Sequence, residues 1–534
     1  GALARLVQQN SLKERSQFRL LAERRFGPFF GVQFLGAMND NVFKQALVIL
    51  HAYQTASFTT MSSDTLQNLA QALFILPFFL FSATAGQLAD KYEKSRLMSV
   101  TVAIELAVML LGAAGFFLQS LALLLAALFL MGAHSTAFGP VKYAILPQHL
   151  REDELIGGNA WVESGTFLAI LLGTILGGVL VSAGGIELGA SDGAGAGGQT
   201  AACVCVVIAI AGYIASRGVP HSPARAPRLR LDWNPVRETW RNLRFTARNR
   251  TVFHSVLGIS WFWFYGALFL AQFPAYARDT LGGTESVITL LLAVFSVGIG
   301  VGSLACERLS GRKIEIGLVP FGSIGMSLAA LDLFFASPAS PAGQGLGALA
   351  FVQQPGSLRI LLDLALIGAF GGLFIVPLYA LIQTRTERSH QSRVIAGNNI
   401  LNAAFVVAAA LLSIGLLRTG VSIAQLFLVT AVLNAAVAVY IYTLVPEFLM
   451  RFIVWLLIHS VYRLRKSGLE HIPDDGPAVI VCNHVSFVDA LIIAAACPRP
   501  VRFVMDHAIF RIPILNFVFR TSRTIPIASG RADP

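Results

Sequence analysis

Residues 86–96 read Gly-Gln-Leu-Ala-Asp-Lys-Tyr-Glu-Lys-Ser-Arg, and residues 302–313 read Gly-Ser-Leu-Ala-Cys-Glu-Arg-Leu-Ser-Gly-Arg-Lys. Each stretch follows a long apolar segment and places a glycine, a small residue, an acid and then a cluster of bases in the same order. The acid is Asp90 in the first copy and Glu307 in the second, so the charge is kept. Because the copies lie at equivalent positions in the two halves of the chain, the sequence indicates a duplicated architecture.

The composition around these stretches is that of a membrane protein. The chain has 534 residues, of which 55% are apolar and 13% charged, and its mean hydropathy is +0.67. A soluble domain carries about 25% charged residues, whereas a membrane-spanning helix needs about 20 mostly apolar residues. These values exclude a freely soluble enzyme, a disordered chain, a collagen-like fibre and a small disulfide scaffold.

Twelve apolar segments, six on either side of a long polar interruption, predict an all-α membrane protein built as a six-plus-six repeat. The segments are 27–54, 65–88, 97–118, 121–146, 155–183, 198–216, 252–277, 285–306, 314–336, 358–384, 393–417 and 421–445. The predicted organisation is a basic arm (1–26), a first six-helix bundle (27–216), a central linker (217–250), a second six-helix bundle (251–445), an interfacial helix (446–467) and the start of an α/β domain (468–534).

Basic residues occur mainly in alternate gaps between these segments. The arm, the linker and the gaps after the second, fourth, eighth and tenth segments hold nearly all of them, whereas the other gaps hold only Arg278, Arg359 and Arg418. Basic loops stay on the cytoplasmic side, so both ends of the membrane part are predicted to be cytoplasmic. The net charge of +11 therefore reflects topology, and we expect no nucleic-acid partner. The five cysteines lack the spacing of a zinc site, and no metal is expected.

The first apolar segment carries the main candidate site, which consists of Asn39, Asp40, Asn41 and Lys44. Charged groups inside a membrane span are costly and mark functional sites by default. Asp40 and Lys44 are four residues apart and share a helix face, so they could hold a lipid headgroup through its amine and its phosphate. The alternative is a structural ion pair that ties helices together.

Two further segments carry polar residues that we assign to the same site. Pro140 beside Lys142 predicts a break in the fourth helix with a base facing a phosphate, and an ordinary helix end with a snorkelling lysine is the alternative. In the fifth segment, Asn159 and Glu163 share a helix face that we expect to point into a cavity.

The remaining polar residues of the spans give weaker signals. Asn398 and Asn402 share a face of the eleventh segment, where hydrogen bonding between helices is an equal alternative to substrate binding. Three single acids receive no role here: Glu105, Asp332 and Asp363. The five consecutive aromatic residues 261–265 are interpreted as an interfacial belt, and an apolar wall for a substrate with an acyl tail is the alternative.

Six plus six helices with this loop in both halves resembles the major facilitator superfamily of transporters. The resemblance implies a substrate cavity between the halves, alternate opening about a midplane site, and a cytoplasmic latch made by the acids and bases of the two loops. The latch residues would be Asp90, Lys91, Arg96, Glu307, Arg308 and Arg312.

Within that superfamily, several strings resemble the bacterial lysophospholipid transporter family. They are 39–41, 139–143, 159–163 with 171–173, 371–378 and 397–398. This resemblance covers residues 27–445 and implies inward movement of lysophosphatidylethanolamine and related lysolipids across the inner membrane. The predicted substrate-binding residues are Asn39, Asp40, Asn41, Lys44, Lys142, Asn159, Glu163, Asn398 and Asn402.

The sequence changes character after Pro446. The apolar stretch 448–458 is too short to span and is followed by bases, which predicts an interfacial helix.

Residues 478–482 have the pattern of a buried strand and lead to His484 and Asp489, a His-x4-Asp arrangement that resembles the signature of glycerolipid acyltransferases. His484 would take the proton from a lysolipid hydroxyl as that hydroxyl attacks an acyl thioester, while Asp489 orients the imidazole. The family's later Phe-Pro-Glu-Gly-Thr block is absent, and we expect a truncated domain.

These features together predict a lysophospholipid flippase fused to an acyltransferase that re-acylates the arriving lipid, in the inner membrane of a bacterium. We expect no bound cofactor, an acyl-carrier-protein or acyl-CoA thioester as acyl donor, and a monomer surrounded by membrane lipids. One alternative is a proton-coupled exporter of small amphipathic molecules, with Asp40 and Glu163 as proton sites. Another is a membrane-anchored acyltransferase whose helices only form a scaffold.

Overall fold

The computed structural model describes residues 17–58, 63–187, 193–310, 314, 317–339 and 343–444 of the membrane part. Further along it describes 477–486, 488–497, 501–513 and 523–528, with scattered positions between 454 and 520. Most of the predicted basic arm, most of the predicted interfacial helix 446–467 and the predicted latch base Arg312 lie outside the described residues.

The first half consists of six long helices that follow a short 3-10 helix at Gln17–Ala22. They are α1 (Gly27–Phe58), α2 (Ser63–Lys91), α3 (Lys94–Phe117), α4 (Leu121–His149), α5 (Leu155–Glu187) and α6 (Gly193–Ser216). The helix starts use ordinary caps: the side chain of Glu93, for example, accepts hydrogen bonds from the backbone N–H groups of Ser95 and Arg96 at the start of α3.

A polar linker helix, α7 (Pro235–Arg248), leads into the second half. The second half contains α8 (Arg250–Ala275, continued by a π turn at Tyr276–Thr280), α9 (Glu285–Ser310), α10 (Leu318–Ala336), the short α11 (Ala348–Val352), α12 (Ser357–Arg385), α13 (Gln391–Arg418) and α14 (Ile423–Leu444).

The described residues therefore form two sets of six long helices, which confirms the predicted six-plus-six architecture. Eleven of these helices are long and apolar enough to cross a membrane. The remaining one, α1, has the length of a span but carries the polar residues 39–41 and Lys44 in its middle. The two sets meet along two seams, where α5 packs against α9 and α2 packs against α13.

Glycines on both helices let α9 and α12 pack closely within the second half. A Cβ atom built on Gly302 would lie 1.9 Å from the carbonyl oxygen of Ala369, and one built on Gly372 would lie 2.5 Å from the backbone nitrogen of Ser303. Small residues at such crossings let the two helix backbones approach closely. The resulting van der Waals packing helps to hold helices together in a membrane.

The linker lies along one face of the membrane part, together with the 3-10 helix and the turn between α2 and α3. We call this face the linker face. Ser222 of the linker donates its backbone N–H to Glu93 at 2.7 Å and accepts the backbone N–H of Lys94 at 2.9 Å. The linker helix α7 packs against α2 and α13, so the linker is fastened to both halves.

Two local predictions are wrong. Helix α4 runs unbroken through Pro140, so no break places a base there. Membrane helices tolerate proline because neighbouring helices and local adjustments satisfy the backbone groups that it frees. Residues 261–265 form no interfacial belt, because they lie in the middle of α8, where Phe262 and Tyr265 are buried.

The chain beyond 477 contains α15 (Asp489–Ala496), β1 (Val504–Asp506), α16 (His507–Phe510) and β2 (Ile525–Ile527) among its described residues. Strands β1 and β2 pair in parallel, with Val504 opposite Ile525. The buried strand predicted at 478–482 is wrong, because these residues are exposed and have no strand assignment. A strand needs a hydrogen-bonded neighbour, and the described pairing in this region joins only β1 to β2.

Candidate functional site

A cavity of about 480 Å³ lies between the two halves. Among the described residues, its charged lining comes from the first half, whereas the second half contributes aromatic, aliphatic and neutral polar side chains. The charged residues are Asp40 and Lys44 of α1, Glu105 of α3, and His134 and Lys142 of α4. The cavity is thus asymmetric in charge: the charged residues lie among apolar side chains of the first half and face an uncharged lining from the second half.

Asp40 and Lys44 both line this cavity, as their spacing predicts. Asp40 Oδ2 accepts a hydrogen bond of 2.8 Å from the hydroxyl of Ser135, while Oδ1 has no hydrogen-bond partner among the described residues. The Lys44 Nζ atom lies 3.6 Å from the centroid of the Phe74 ring, a cation–π contact. One anionic and one cationic group are therefore presented side by side to the cavity.

The two neighbouring asparagines behave differently. Asn41 lines the cavity, and its amide donates to the carbonyl oxygen of Ala37 at 2.7 Å. Asn39 is fully buried and turns away from the cavity, donating its amide to Glu105 Oε1 at 2.8 Å. Asn39 therefore positions a carboxylate on α3.

Glu105 and His134 are cavity residues that the sequence analysis missed. The two residues are only 3% and 7% exposed, and His134 Nε2 lies 3.7 Å from Glu105 Oε2. The signal was available: Glu105 lies near the middle of α3 and not at its end, so its depth matches that of Asp40. A charged residue at mid-depth on successive helices indicates a shared site.

Lys142 and Glu163 form a second charged group at the edge of the cavity. Lys142 Nζ donates to Thr166 Oγ1 at 3.0 Å, and Glu163 Oε1 accepts a hydrogen bond of 2.7 Å from the hydroxyl of Tyr143. Glu163 is fully buried behind the cavity wall and does not line the cavity. It interacts electrostatically with Lys142. Glu163 therefore influences the cavity by stabilising the charge of Lys142, which does line it.

The cavity is closed toward the linker face by contacts between the halves. The rings of Tyr143 and Tyr379 stack with centroids 4.1 Å apart. One turn further, the Asn159 amide donates to Gln383 Oε1 at 2.6 Å, and Gln383 Nε2 donates to the carbonyl oxygen of Tyr143 at 3.0 Å. Asn159 is therefore part of this closure and does not reach the cavity.

Of the two asparagines predicted on α13, one lines the cavity and the other does not. Asn402 lines the cavity and accepts a hydrogen bond of 2.9 Å from Ser260. Asn398 is buried outside the cavity lining, and its neighbour Asn399 takes the lining position. A Cβ atom built on Gly139 would contact the Asn399 amide nitrogen, so α4 and α13 approach each other closely at this point.

The acid of the first repeated loop joins the two halves at the linker face. Asp90 is fully buried, and its carboxylate accepts hydrogen bonds from the backbone N–H of Ser392 at 3.0 Å and from Arg393 Nε at 3.1 Å. Of the bases predicted beside it, Lys91 lies over the Tyr92 ring and Arg96 is exposed. The ion-pair partner of Asp90 thus comes from α13.

The acid of the second loop contacts the start of the chain. Glu307 Oε2 accepts the backbone N–H of Gln17 at 3.2 Å, while the Gln17 carbonyl oxygen accepts a hydrogen bond of 3.0 Å from Trp161 Nε1 on α5. Arg308 is exposed. Gln17 therefore bridges α9 and α5 on the linker face.

In the C-terminal part, His484 Nδ1 lies 3.2 Å from Asp489 Oδ2. The same carboxylate oxygen accepts the backbone N–H groups of Ser486 at 2.7 Å and Val485 at 2.6 Å. Those backbone hydrogen bonds, followed by the nearby imidazole, lower the pKa of Asp489. Asp489 is the first residue of α15, where the positive end of the helix favours a carboxylate.

Comparison with known proteins settles the family of the membrane part. The family model described as Major Facilitator Superfamily matches residues 29–358. The chain belongs to the major facilitator superfamily. A second family model, described as Acyltransferase, matches residues 463–533. This facilitator therefore carries acyltransferase sequence after its transporter helices, as predicted.

The curated relatives of the facilitator include proteins named Lysophospholipid transporter LplT. The protein of that name from Cronobacter sakazakii is 30% identical over 381 residues, covering 69% of this chain and 81% of the relative. The protein of that name from Enterobacter sp. (strain 638) is 29% identical over 370 residues, again covering 69% and 81%. The predicted resemblance to this family is confirmed.

Solved structures agree on the fold of the facilitator. The fucose:proton symporter FucP, in the outward conformation, matches with a TM-score of 0.59 at 13% identity, covering 78% of this chain and 98% of that chain. The human organic anion transporter MFSD10 matches with a TM-score of 0.57 at 14% identity, covering 77% and 99%.

Proposed function

We propose that this facilitator moves lysophospholipids of the lysophosphatidylethanolamine type from the outer to the inner leaflet of a bacterial inner membrane. The observation that carries the proposal is the asymmetry of the cavity, in which every charged lining residue belongs to the first half. A lysolipid has the same division, with a zwitterionic headgroup at one end and a single acyl chain at the other. The names of the LplT relatives support this class of substrate.

The charged wall fits the headgroup. The free Oδ1 oxygen of Asp40 would accept hydrogen bonds from the ammonium group of the lipid, while Lys44 and Lys142 would bind its phosphate. Hydrogen bonds in which both partners are charged are roughly twice as strong as neutral ones. Asn41 and Asn402, which also line the cavity, would add neutral hydrogen bonds.

The uncharged aromatic side chains that both halves contribute to the lining fit the acyl chain. Phe74, Phe167, Phe262 and Trp263 all line the cavity, and the Phe167 and Trp263 rings join the two halves with centroids 6.1 Å apart. A chain placed between these side chains would exchange the lipid tails of the leaflet for an equally apolar lining, so the acyl chain could enter without a large free-energy cost. A small polar solute would gain nothing from such a wall, which favours a lipid over a sugar.

The direction of transport rests on the placement of charge and on the closure of the cavity. The positive-inside pattern assigns the linker face to the cytoplasm. The hydrogen bonds described between the halves, such as those of Asp90 and Gln383, lie between the cavity and that face. With this orientation the contacts between the halves close the cavity on the cytoplasmic side, which supports our proposal that the substrate enters from the outer leaflet.

We further propose that the arriving lysolipid is re-acylated by the acyltransferase domain to which residues 463–533 belong. The close approach of His484 and Asp489 supports a general base held by a carboxylate, which would remove the proton from the free glycerol hydroxyl. An acyl-carrier-protein or acyl-CoA thioester would supply the acyl group. Transport and acylation would then form one salvage route for lysolipids.

The test of transport uses proteoliposomes that carry fluorescent lysophosphatidylethanolamine in the outer leaflet, with albumin added to extract whatever remains there. Wild-type protein is expected to protect the lipid from extraction within minutes, and excess unlabelled lysolipid should slow this. Protein-free vesicles are the control. Equal, slow protection with and without protein would overturn the proposal. Proton flux stimulated by small amphipathic solutes, without lipid movement, would instead support the exporter.

A further inference from the structure

The two lysines of the cavity lie at different depths between the outer side and the linker face. The hydrogen bond from Ser135 to Asp40 Oδ2 places α1 and α4 side by side at this level. The two helices run in opposite directions, because the linker face holds the start of α1 and the end of α4. Lys44 is four residues further from that face than Asp40, and Lys142 is seven residues nearer to it than Ser135. At a rise of 1.5 Å per residue, the two lysines differ in depth by about 16 Å.

Contacts hold the two ammonium groups at these depths. Lys44 Nζ lies 3.6 Å from the centroid of the Phe74 ring, and the backbone of Phe74 lies against Gly132 of α4. Lys142 follows Gly132 by ten residues on the same helix, which is about 15 Å along its axis. The Lys142 Nζ atom donates to Thr166 Oγ1 at 3.0 Å. One phosphate, whose oxygens accept hydrogen bonds of about 2.8 Å, cannot contact both Nζ atoms at once.

Lys44 and Asp40, which we call the outer level, have the spacing of an ethanolamine headgroup. Asp40 lies one helical turn inward from Lys44, and both line the cavity. The amine and the phosphate of such a headgroup are joined by a two-carbon link, which spans about one helical turn of 5.4 Å. Asp40 Oδ1 has no hydrogen-bond partner among the described residues. It can therefore accept a hydrogen bond from the ammonium while Lys44 binds the phosphate of the same lipid.

Lys142 and Glu105, which we call the inner level, repeat this spacing. Thr166, which holds Lys142 Nζ, donates to Gln33 Oε1 on α1 at 3.3 Å, so Lys142 lies at the depth of Gln33. Glu105 lies at the depth of Gly36, since a Cβ atom built on that glycine would lie 3.6 Å from Glu105 Oε2. Three residues of α1 separate these depths, which is about 4.5 Å. The inner level thus also offers a base and an acid about one turn apart.

We propose that the headgroup occupies the outer and inner levels in turn, and that Glu105 binds its amine at the inner level. This inference rests on the proposed function, which assigns both lysines to the phosphate of a lysolipid. The ammonium would pass from Asp40 to Glu105, about one helical turn, while the phosphate swings from Lys44 to Lys142. The phosphate then lies on the inward side of the amine instead of the outward side. Such a reversal is what the movement of a lipid between leaflets requires.

The test measures binding and movement of lysophosphatidylethanolamine separately for Lys44→Gln, Lys142→Gln and the double variant. Binding is followed in detergent through quenching of Trp263, a residue of the cavity lining, by a lysolipid with a brominated acyl chain. Trp263→Phe is the control for this signal, and saturation at the wild-type amplitude shows that a variant is folded. Movement is followed by albumin extraction from proteoliposomes. Arg418→Gln removes an exposed base at the end of α13 and should behave as wild type.

Two alternative positions predict a specific pattern for the lysine variants. Each single variant can still bind the phosphate through the other lysine, so the affinity loss of the double variant should exceed the product of the two single losses. Movement should slow about tenfold or more in each single variant, the usual effect of losing a hydrogen bond between charged groups. The reason is that every lipid must visit both levels.

The carboxylates are tested by the same criterion. The double variant of Asp40→Asn and Glu105→Gln should lose more affinity than the product of the two single losses, and Glu105→Gln alone should slow movement about tenfold or more. A Glu105 that only supports the structure of the cavity would instead give losses that multiply. Asp279→Asn, which removes an exposed carboxylate beside Arg278, is the matched control and should behave as wild type.

Two results would overturn the inference while leaving the proposed function intact. One is a set of affinity losses that simply multiply, which would place both lysines at a single bound phosphate. The other is movement at the wild-type rate in Lys142→Gln or Glu105→Gln. If the wild-type protein neither binds the brominated lysolipid nor protects lysophosphatidylethanolamine from albumin, the proposed function itself fails, and the inference fails with it.

Discussion

The carboxylate of Asp90 accepts a hydrogen bond of 3.1 Å from the guanidinium of Arg393, a residue 303 positions further along the chain. The same carboxylate accepts the backbone N–H groups of Ser392 and Arg393 in the first turn of α13. An acid of one half thus caps a helix of the other half, where the positive end of the helix dipole favours it. This contact stabilises closure of the linker face.

Asp90→Asn is expected to shift the facilitator toward opening at the linker face. Coupling energies of about 1–3 kcal/mol change a two-state ratio by roughly 5–150-fold, and the loss of a buried charge–charge contact falls in this range. Spin labels at the exposed positions Arg96 and Arg308, in a background without native cysteines, would report the distance across the face. An unchanged distance distribution would show that Asp90 does not hold the face closed.

Gly302→Ala should destabilise the second half, because a Cβ at this position would lie 1.9 Å from the carbonyl oxygen of Ala369. Overpacking of this kind costs about 1–3 kcal/mol. Gly415→Ala is the matched control, since it lies in α13 with no atom within 4 Å of the added Cβ. Thermal unfolding followed in detergent should show a lower midpoint for the first variant alone. Equal midpoints would contradict the close helix crossing.

The docking of the linker should weaken only in acid. Burial acts to raise the pKa of Glu93, but hydrogen bonds from Ser95, Ser222 and Arg96 outweigh it and hold the pKa below its ordinary value. A lowered pKa gives stability that is complete above the unfolded value of about 4.3 and is lost as the pH falls through the folded value. The hydrogen-exchange protection factor of the Ser222 amide should therefore stay constant down to about pH 4.3 and then fall. A decrease beginning near neutral pH would point to another group.

The acyltransferase part gives a separate prediction. His484→Ala should lower the rate of acyl transfer to lysophosphatidylethanolamine by roughly 100-fold or more, the usual contribution of a general base. Lipid movement in the same vesicles should be unchanged, because the cavity lies in the membrane part. Acyl transfer that survives the substitution would remove His484 from the proposed chemistry. Loss of lipid movement as well would show that the two activities are coupled more tightly than proposed.

Much of the fold follows from hydropathy alone, because a bilayer permits few structures other than helices of fixed length. The helix bounds differ from the predicted segments by a few residues; α10, for example, begins at Leu318 where position 314 was predicted. The helix break predicted at Pro140 does not occur, and the reason is local. A proline signal in sequence does not reveal whether neighbouring helices will support the interrupted turn.

The candidate site was predictable to the extent that it depends on one helix. Asp40 and Lys44 share a face by their spacing, and both line the cavity. Asn159 and Glu163 also share a face, but neither lines the cavity. Their hydrogen-bond partners, Gln383 and Tyr143, lie on other helices and hold the two side chains outside the lining. Contacts between helices are not encoded in local spacing, so the sequence could not separate these two outcomes.

The most direct measurement of the central claim compares wild-type protein with Asp40→Asn in the albumin-extraction assay, with Asp279→Asn as the matched control. The substitution keeps the size of the side chain and removes the charge that would bind the lipid ammonium. We predict rapid protection of lysophosphatidylethanolamine by the wild type and by Asp279→Asn, and a loss of at least tenfold in rate for Asp40→Asn, which corresponds to about 1.4 kcal/mol. Equal rates for all three proteins would contradict a headgroup site at Asp40.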